Sequence, residues 1–369
     1  MYDIAIIGAG PAGATLARRL GSQYRVLLVD RRRMDLDPAE SPISKLCGGL
    51  LAPSAQRELA RQGLRIPQAV IAGPQLFAVR TLDLAAELER LYQRFYVNVD
   101  REEFDRWLIS LVPECVERCW GWSLSAVEAD DEAPTLTFRT AEGGRASVRA
   151  RMVIGADGAS STVRRLVYPN ESSPERYSAV QAVFDVGSAD PFYGAIFDEA
   201  LTDFYGWTIP KGGTVAVGAA FPVGAGVPAR FDEFVNKLRD SGFRFGRELR
   251  RGAAAISRPT RPGQLFVGRG RVLLAGEAAG FISPSSAEGI SYALRSGADL
   301  AGALAPSLEG AMSRYVSAAW PLALRVGVKA AKGGAIYGAA TRRLVMRSGL
   351  GALPASGSHN PQVDLGWLR

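Results

Sequence analysis

The chain has 369 residues, of which 47% are hydrophobic and 22% are charged. This length leaves room for two or three domains, and the composition excludes a wholly disordered or fibrous protein. Lys and Arg total 44 against 37 Asp and Glu, which gives a net charge of +7 and favours anionic partners. The basic runs lack interleaved aromatic residues, so nucleic acid is not an expected partner.

The cysteine and histidine counts narrow the chemistry further. Cys47, Cys115 and Cys119 have neither the paired spacing of a metal site nor the density of a disulfide scaffold. The single histidine, His359, lies in a tail rich in Gly, Ser and Pro. Ser-His-Asp hydrolysis, Cys-His catalysis and His-ligated metal chemistry all need an imidazole in a rigid site. These classes and a metal site are therefore not expected.

No uncharged apolar stretch reaches about 18 residues, and the first residues lack the basic and apolar regions of a signal peptide. These observations predict a cytoplasmic protein.

The first 30 residues carry the most informative pattern. A β-type run leads into residues 8–13 (GAGPAG), then a helical segment, then an apolar run that ends in Asp30. This order is typical of a βαβ unit that binds a dinucleotide. Its glycines allow a tight turn, a close approach of a pyrophosphate and close helix packing, and Asp30 suits ribose hydroxyls. The predicted cofactor contacts here are Gly8, Gly10, Pro11, Ala12, Gly13, Asp30 and Arg31.

Two later segments repeat the design. Residues 153–164 predict a strand that enters a glycine-rich turn with Asp157, and residues 271–280 predict another with Gly276 and Glu277. Acids beside glycines at strand ends suit hydrogen bonds to ribose or ribityl hydroxyls. Asp157, Gly276 and Glu277 are therefore predicted cofactor contacts, although the βαβ unit alone does not distinguish NAD from FAD.

These three motifs, in this order, resemble those of FAD-dependent oxidoreductases built like p-hydroxybenzoate hydroxylase and glutathione reductase. Within that group the chain is most similar to the geranylgeranyl reductase family, in its compact, CbrA-like bacterial branch. The closer resemblance lies in residues 44–49 (SKLCGG, similar to a KxCG loop), 100–108 (R-x-x-F-D-x-x-L), 205–211 with 217–218 (YxWxFP…VG) and 287–290.

Three positions depart from the family pattern. Glu277 stands where Asp is usual, Ile209 where Phe is usual, and residues 285–287 (SSA) replace a Leu-Thr-Gly run. We expect FAD binding to survive these changes and the substrate pocket to differ.

The resemblance implies FAD with its ring between two domains. Covalent attachment commonly uses a His or Cys beside the ring, and because the only His lies in the tail we expect non-covalent FAD. Arg101 would contact the adenine-side half, Lys45, Cys47 and Gly48 would lie beside the ring, and Gly289 and Ile290 would begin a helix that faces the pyrimidine end. Cys47 is the predicted catalytic side chain, with a small packing residue as the alternative. The predicted substrate contacts are Tyr205, Trp207 and Pro284.

The predicted fold class is α/β (α+β). A discontinuous FAD-binding domain of Rossmann type is expected over residues 1–70, 95–175 and 262–310. A β-rich substrate domain is expected over residues 71–94 and 176–261, and C-terminal helices with a mobile tail over 311–369. Residues 70–79 and 135–148 are each expected to be strand-like.

The implied reaction is reduction of a C=C bond in a hydrophobic, isoprenoid or lipid-like substrate by hydride from flavin N5. NAD(P)H or a reduced protein would donate the electrons. The alternatives are a monooxygenase or halogenase of an aromatic natural-product intermediate, an electron-transfer flavoprotein to a quinone, and, least expected, a non-catalytic nucleotide-binding regulator. The basic and apolar stretch 329–347 also predicts peripheral attachment to anionic membranes.

Overall fold

A computed structural model describes residues 1–36, 47–128, 130–187 and 190–354. Lys45 and His359 therefore lie outside the described residues. The strands are β1 (Tyr2–Ile7), β2 (Val26–Asp30), β3 (Leu50–Leu51), β4 (Leu76–Asp83), β5 (Leu88–Asn98), β6 (Glu117–Trp120), β7 (Ser123–Glu128), β8 (Thr135–Arg139), β9 (Arg145–Gly155), β10 (Glu175–Asp185), β11 (Tyr193–Phe197), β12 (Gly206–Lys211), β13 (Thr214–Pro222), β14 (Glu248–Arg258), β15 (Gly268–Arg269) and β16 (Val272–Leu274).

The helices follow the same chain order. They are α1 (Pro11–Leu20), α2 (Pro53–Arg61), α3 (Arg101–Ser110), α4 (Thr162–Val167), α5 (Val227–Asp240), α6 (Ile290–Leu304), α7 (Ala311–Tyr337) and α8 (Ala339–Ser348). Short 3-10 helices span Gln68–Val70, Pro262–Gln264 and Gly276–Ala279.

The first sheet has the strand order β15-β16-β9-β1-β2-β6, and the β7–β8 hairpin extends it from β9. Its centre is parallel, since Ile4 on β1 lies opposite Val26 on β2 and Met152 on β9. All three side chains are buried, which fits the continuous apolar runs expected of parallel strands covered on both faces. This sheet and its helices form the α/β unit that the βαβ motif predicts.

The second sheet has the order β14-β10-β13-β12-β11-β4-β5-β3 and is antiparallel except at β11–β4. Helix α5 covers one face with Phe231, Phe234 and Leu238, which are buried among the apolar side chains of that face. The opposite face carries a separate cluster of aromatic residues that belongs to the candidate site.

Two predicted strands are wrong in part. The strand expected over 70–79 begins only at Leu76, because Pro74 lacks the N–H that a strand ladder needs and residues 68–70 form a 3-10 turn. The strand expected over 135–148 is a hairpin, because Gly143 adopts a φ of 82° in the turn that separates β8 from β9.

The second sheet also departs from the expected domain limits. Strand β5 runs to Asn98, four residues beyond the limit at 94, and β3 pairs with it although residues 50–51 were assigned to the FAD-binding domain. The division into domains itself stays a prediction.

The C-terminal helices are joined to the second sheet by a buried ion-pair cluster. Arg342 on α8 places Nε 2.8 Å from Oδ2 of Asp83, which is fully buried at the end of β4. Arg343 contacts the same carboxylate, and both arginines also contact Glu199. Within the described residues, no helix combines the length and apolarity needed to cross a membrane.

Candidate active site

A cavity of 1110 Å³ is lined by turns that follow strands of the first sheet, by strands of the second sheet and by α7. Its wall includes the glycine turn before α1, residues 47–49, the turn at 276–277, residues 285–293 and the aromatic face of the second sheet. The volume lies just above the range of about 300–1,000 Å³ seen for small-molecule sites, so the cavity can hold a large ligand.

The glycine turn forms an open cradle at one end of this cavity. A Cβ at Gly8, whose φ is 105°, would lie 2.5 Å from the Ala156 carbonyl oxygen, and one at Gly13 would lie 1.8 Å from that of Gly8. A Cβ at Gly10 would meet nothing within 4 Å, and Gly10, Pro11 and Ala12 line the cavity. Helix α1 has no side-chain cap, so its first-turn N–H groups face an uncapped end. These residues fit a pyrophosphate.

The Asp30 carboxylate is hydrogen-bonded to protein groups, which the sequence does not predict. Its Oδ2 accepts hydrogen bonds from Ala9 N (2.8 Å) and Arg32 Nη2 (3.0 Å), and its Oδ1 accepts from Arg32 N (2.9 Å) and Arg32 Nε (3.0 Å). A carboxylate has about four acceptor positions, so this set occupies them all. Asp30 therefore fixes the glycine turn, and its contact with a ribose stays a prediction.

Arg31 differs from its neighbour. The Arg31 side chain is exposed and does not line the cavity, whereas Arg32 faces Asp30 and also places Nη1 3.2 Å from Oδ2 of Asp105. The predicted cofactor contact of Arg31 is untested, and Arg32 is the arginine that the fold brings to Asp30.

Asp157 caps a helix. Its carboxylate accepts hydrogen bonds from the N–H groups of Thr162 (2.6 Å) and Val163 (3.1 Å) at the start of α4, and from the Ser161 hydroxyl. Burial raises the pKa of Asp157 and these hydrogen bonds oppose the rise. The backbone on either side, at Ala156 and Gly158, lines the cavity. The geometry therefore gives Asp157 a positioning role, and direct contact with FAD stays a prediction.

Gly276 and Glu277 of the third motif both line the cavity, and their contact with a cofactor stays a prediction. Gly276 has a φ of 61°, and its N–H donates to the Ser296 hydroxyl on α6 (2.8 Å). Oε1 of Glu277 accepts from Ser257 N on β14 (2.7 Å), so the motif also joins the two sheets.

Gly289 and Ile290 begin α6 at the cavity wall, so the N-termini of α1 and α6 line the same space. The two helices pack closely, since a Cβ at Gly297 would lie 2.7 Å from the Ala12 carbonyl oxygen. Each N-terminus contributes about half a positive charge, so a ligand with negative charge at two separate positions is stabilised here.

Residues 47–49 line the cavity and pack against the second sheet. A Cβ at Gly48 would lie 2.3 Å from Cδ1 of Ile209, and one at Gly49, whose φ is 62°, would lie 2.3 Å from the Val99 carbonyl oxygen. The two glycines therefore allow this loop to approach β12 and place the half-buried Cys47 at the cavity wall.

Arg101 lies between Cys47 and Asp105. Its Nε donates to Oδ1 of Asp105 (2.8 Å), and its guanidinium also hydrogen-bonds with the Cys47 sulfur. Burial opposes the charge on Arg101, yet Asp105 and Cys47 raise its pKa above the usual range, so it remains charged. The resemblance implied an adenine-side contact for Arg101, which stays untested; the structure places its head group at the Cys47 loop.

A continuous row of ion pairs results from these contacts. Asp30 contacts Arg32, Arg32 contacts Asp105, Asp105 contacts Arg101, and Arg101 reaches Cys47. Burial alone would raise the pKa of Asp105, but Arg101 and Arg32 lower it by more, so the net pKa is below the usual value and the carboxylate is ionised. The row links the βαβ unit to the cysteine loop.

Lys211 adds a second cation near this loop. Its Nζ donates to the Val99 carbonyl (2.8 Å) and to Oδ1 of Asn98, and a Cβ at Gly49 would lie 2.8 Å from it. Burial lowers the pKa of Lys211 to about 8, although Cys47 and Asp100 oppose the fall.

The apolar wall of the cavity is aromatic. Tyr205 donates its hydroxyl hydrogen to the Ser286 carbonyl (2.8 Å), and Nε1 of Trp207 donates to Oε1 of Gln181 (2.9 Å). Burial raises the pKa of Tyr205 and of Tyr193, so both phenols stay protonated. Pro284 is buried and does not line the cavity, whereas Ile282 and Ser285 do, so its predicted substrate contact stays a prediction.

Several residues that line the cavity were not predicted from the sequence. Strand β5 presents Tyr92, Arg94 and Tyr96 to the cavity, and β11 presents Tyr193, Ala195 and Phe197. Every second residue is involved in each strand, so alternation was the signal that could have identified them. Within the described ranges, no group of three or more His, Cys, Asp or Glu side chains could hold a metal ion.

Comparison with known proteins identifies an FAD-binding family match and related folds. The family described as "FAD binding domain" matches residues 74–204. The fold is similar to a geranylgeranyl bacteriochlorophyll reductase-like protein from Thermoplasma acidophilum (TM-score 0.76, 19% identity, 93% of this chain and 89% of that chain). It is also similar to p-nitrophenol 4-monooxygenase PnpA from Pseudomonas putida DLL-E4 (TM-score 0.70, 18% identity, 94% and 93%).

Fold, site and family match together define an FAD-dependent enzyme of the oxidoreductase and monooxygenase class. Protein CbrA from Escherichia coli O157:H7 is 40% identical over 353 residues, which are 96% of this chain and 98% of that protein. The chain therefore belongs to the CbrA family.

Proposed function

We propose that this flavoprotein reduces a C=C bond in a hydrophobic, isoprenoid or lipid-like substrate. The observation that carries the proposal is the position of Cys47. It lines the same cavity as the cradle of α1, the N-terminus of α6 and the aromatic wall of the second sheet. This position supports a role for the Cys47 thiol between the proposed cofactor site and the proposed apolar substrate site.

The residues that would hold FAD are the glycine turn, Gly276 and Glu277, and the N-terminus of α6. Bound FAD supplies the hydride for the acceptor carbon. The uncapped first turn of α1 would receive the pyrophosphate, and the α6 N-terminus would stabilise negative charge at the pyrimidine end.

Cys47 would deliver the proton that completes the reduction. A thiol beside a guanidinium releases its proton more readily, because the positive charge stabilises the sulfur anion left behind. Arg101 provides this charge and is itself held by Asp105. The described part of the chain contains no histidine, and Cys47 lines the cavity beside the residues that would hold FAD, which supports its role as the general acid.

The aromatic wall would bind the substrate. Tyr193, Tyr205 and Trp207 present ring surfaces, and the polar atom of each side chain is hydrogen-bonded within the protein. The ring centroids of Tyr205 and Trp207 are 5.8 Å apart. Such a wall offers a large apolar contact area with few polar demands, which suits a chain-like hydrocarbon. NAD(P)H or a reduced protein would supply the electrons.

Anaerobic re-oxidation of the reduced flavoprotein tests the proposal. The protein would be reduced and then mixed with prenyl, quinone or aromatic substrates, with and without dioxygen, while flavin absorbance is followed. We expect prenyl-dependent re-oxidation without oxygen. Re-oxidation that needs both oxygen and an aromatic substrate would favour the monooxygenase or halogenase instead, and rapid oxidation by quinone alone would favour electron transfer.

A further inference from the structure

The outward face of α7 carries a row of exposed apolar side chains. Val316, Trp320, Leu324 and Val328 are 46%, 68%, 59% and 62% exposed. Residues four apart on a helix are neighbours on its surface, so these four form one continuous row. Within the described residues no element covers them.

The row ends at the cavity. The next residue at the same spacing is Lys332, which lines the cavity together with Arg325 and Lys329. From Val316 to Lys332 the helix rises about 24 Å at 1.5 Å per residue. Beyond α7, Val345 and Leu350 are also exposed and also line the cavity, so apolar surface continues to its edge.

The flank of this row is positively charged. Arg325 and Lys329 each follow a member of the row by one residue, which places them about 100° around the helix. Arg94 on β5 also lines the cavity. In the described parts of the chain, no carboxylate lies within ion-pair distance of Arg94, Arg325, Lys329 or Lys332. Burial, followed by repulsion from Lys332, lowers the pKa of Lys329.

We propose that this surface, the α7 face (Val316, Trp320, Leu324 and Val328 with Arg325, Lys329 and Lys332), docks on an anionic lipid bilayer. The cavity would then open where the membrane interface begins. The apolar row would enter the interface, a depth at which Trp is favoured, and the cations would meet lipid phosphates.

Charge selects the bilayer over a second copy of the chain. A symmetric dimer through this face would place the same cations on both sides of the contact, where they repel. An anionic bilayer offers phosphates that attract the cations of the flank and an apolar layer that can bury the apolar row. The net charge of +7 acts in the same direction.

Vesicle co-sedimentation of the full-length holoprotein tests this inference without any use of activity, so its outcome is independent of the reaction proposed above. The vesicles would be phosphatidylcholine with and without phosphatidylglycerol, at low and high salt. The test variant is Trp320→Ser with Leu324→Ser. The matched control is Val223→Ser with Leu249→Ser, since these side chains, just after β13 and on β14, are 65% and 47% exposed.

We expect binding to the anionic vesicles that weakens at high salt, a loss of about tenfold in the α7-face variant and no loss in the control. Flavin content and circular dichroism would establish that each variant is folded. Equal binding to neutral and anionic vesicles, no binding, or an unchanged α7-face variant would overturn the proposal. A dimer that the α7-face variant converts to a monomer would show that a second copy covers this face.

Discussion

The Arg32 guanidinium holds both oxygens of the Asp30 carboxylate, with Nε 3.0 Å from Oδ1 and Nη2 3.0 Å from Oδ2. The same carboxylate accepts the Ala9 N–H from the glycine turn. Asp30 thus couples the shape of the cradle to the row of ion pairs that reaches Cys47. Protein groups occupy the acceptor positions of Asp30, so we expect it to support FAD binding by fixing the glycine turn and not by accepting a hydrogen bond from the ribose.

Asp30→Ala should weaken FAD binding by about 1–3 kcal/mol, because the glycine turn loses its acceptor and Arg32 loses its partner. Titration of the apoprotein with FAD measures this loss. Asp35→Ala is the matched control, since Asp35 pairs with Arg33 on the surface. Equal FAD affinity in wild type and Asp30→Ala would remove Asp30 from the binding machinery.

Gly10→Val should leave the fold intact and reduce FAD affinity about tenfold or more. The φ of −72° at Gly10 suits any L residue and its Cβ would meet no protein atom within 4 Å, so the new side chain fills only the cavity. Gly213→Val is the control, because a Cβ there also meets nothing within 4 Å and lies outside the cavity wall. If both variants bind FAD equally well, the cradle is not the pyrophosphate site.

The sequence could predict the first sheet, the glycine turn and the three cofactor motifs, because strand, turn and helix signals are local there. It could not predict the partners of Asp30 and Asp157. Each carboxylate accepts hydrogen bonds from groups whose positions depend on the folded turn. The partner of Asp30 is Arg32, and the partners of Asp157 are N–H groups at the start of α4. Sequence proximity also does not show that Arg32, rather than Arg31, is the arginine that pairs with Asp30, and the cofactor contact of Arg31 stays a prediction.

The aromatic wall shows a second limit. Residue alternation predicts that Tyr205, just before β12, and Trp207, on β12, face the same side, but Tyr96 and Tyr193 join them only through the strand order β12-β11-β4-β5. Their ring centroids are 5.5 Å apart although 97 residues separate them in the sequence. Such pairing depends on sheet topology, which alternation within one strand does not specify.

Lys211 should make stability depend on pH. Its folded pKa of about 8 lies below the ordinary 10.5, so between these values the unfolded chain binds a proton that the folded one does not. Stability should therefore rise with pH by up to about 1.4 kcal/mol per unit across this window, relative to Lys211→Met. Denaturant unfolding of both proteins from pH 7 to pH 10 measures the difference; parallel curves would contradict the low pKa.

Arg342→Met should lower the free energy of unfolding by about 3 kcal/mol, because it removes the most buried partner of a fully buried carboxylate. Arg343→Met should cost less, since Arg343 is more exposed and Arg342 still faces Asp83. Urea denaturation ranks the two variants. A larger loss in Arg343→Met would show that α8 is anchored differently.

Cys47→Ala should retain FAD and lower product formation about tenfold or more, the size of a lost general acid. Cys47→Ser should be milder if the residue mainly positions the substrate. Cys119→Ala is the control, since Cys119 lies outside the cavity wall and burial raises its pKa to about 11. Steady-state rates with equal flavin content provide the comparison. If Cys47→Ala turns over at the wild-type rate, Cys47 is a packing residue and not a catalytic one.

The central claim is C=C reduction, and the most direct measurement is the mass of the product formed anaerobically by the reduced flavoprotein from a prenyl substrate in deuterated water. We predict a product that has gained two hydrogens and no oxygen. Both would be deuterium, because N5–H of the reduced flavin exchanges with the solvent before hydride transfer and the proton at the adjacent carbon also derives from solvent. Unchanged substrate under these conditions, together with an oxygen- or halogen-bearing product from an aromatic substrate in air, would contradict it.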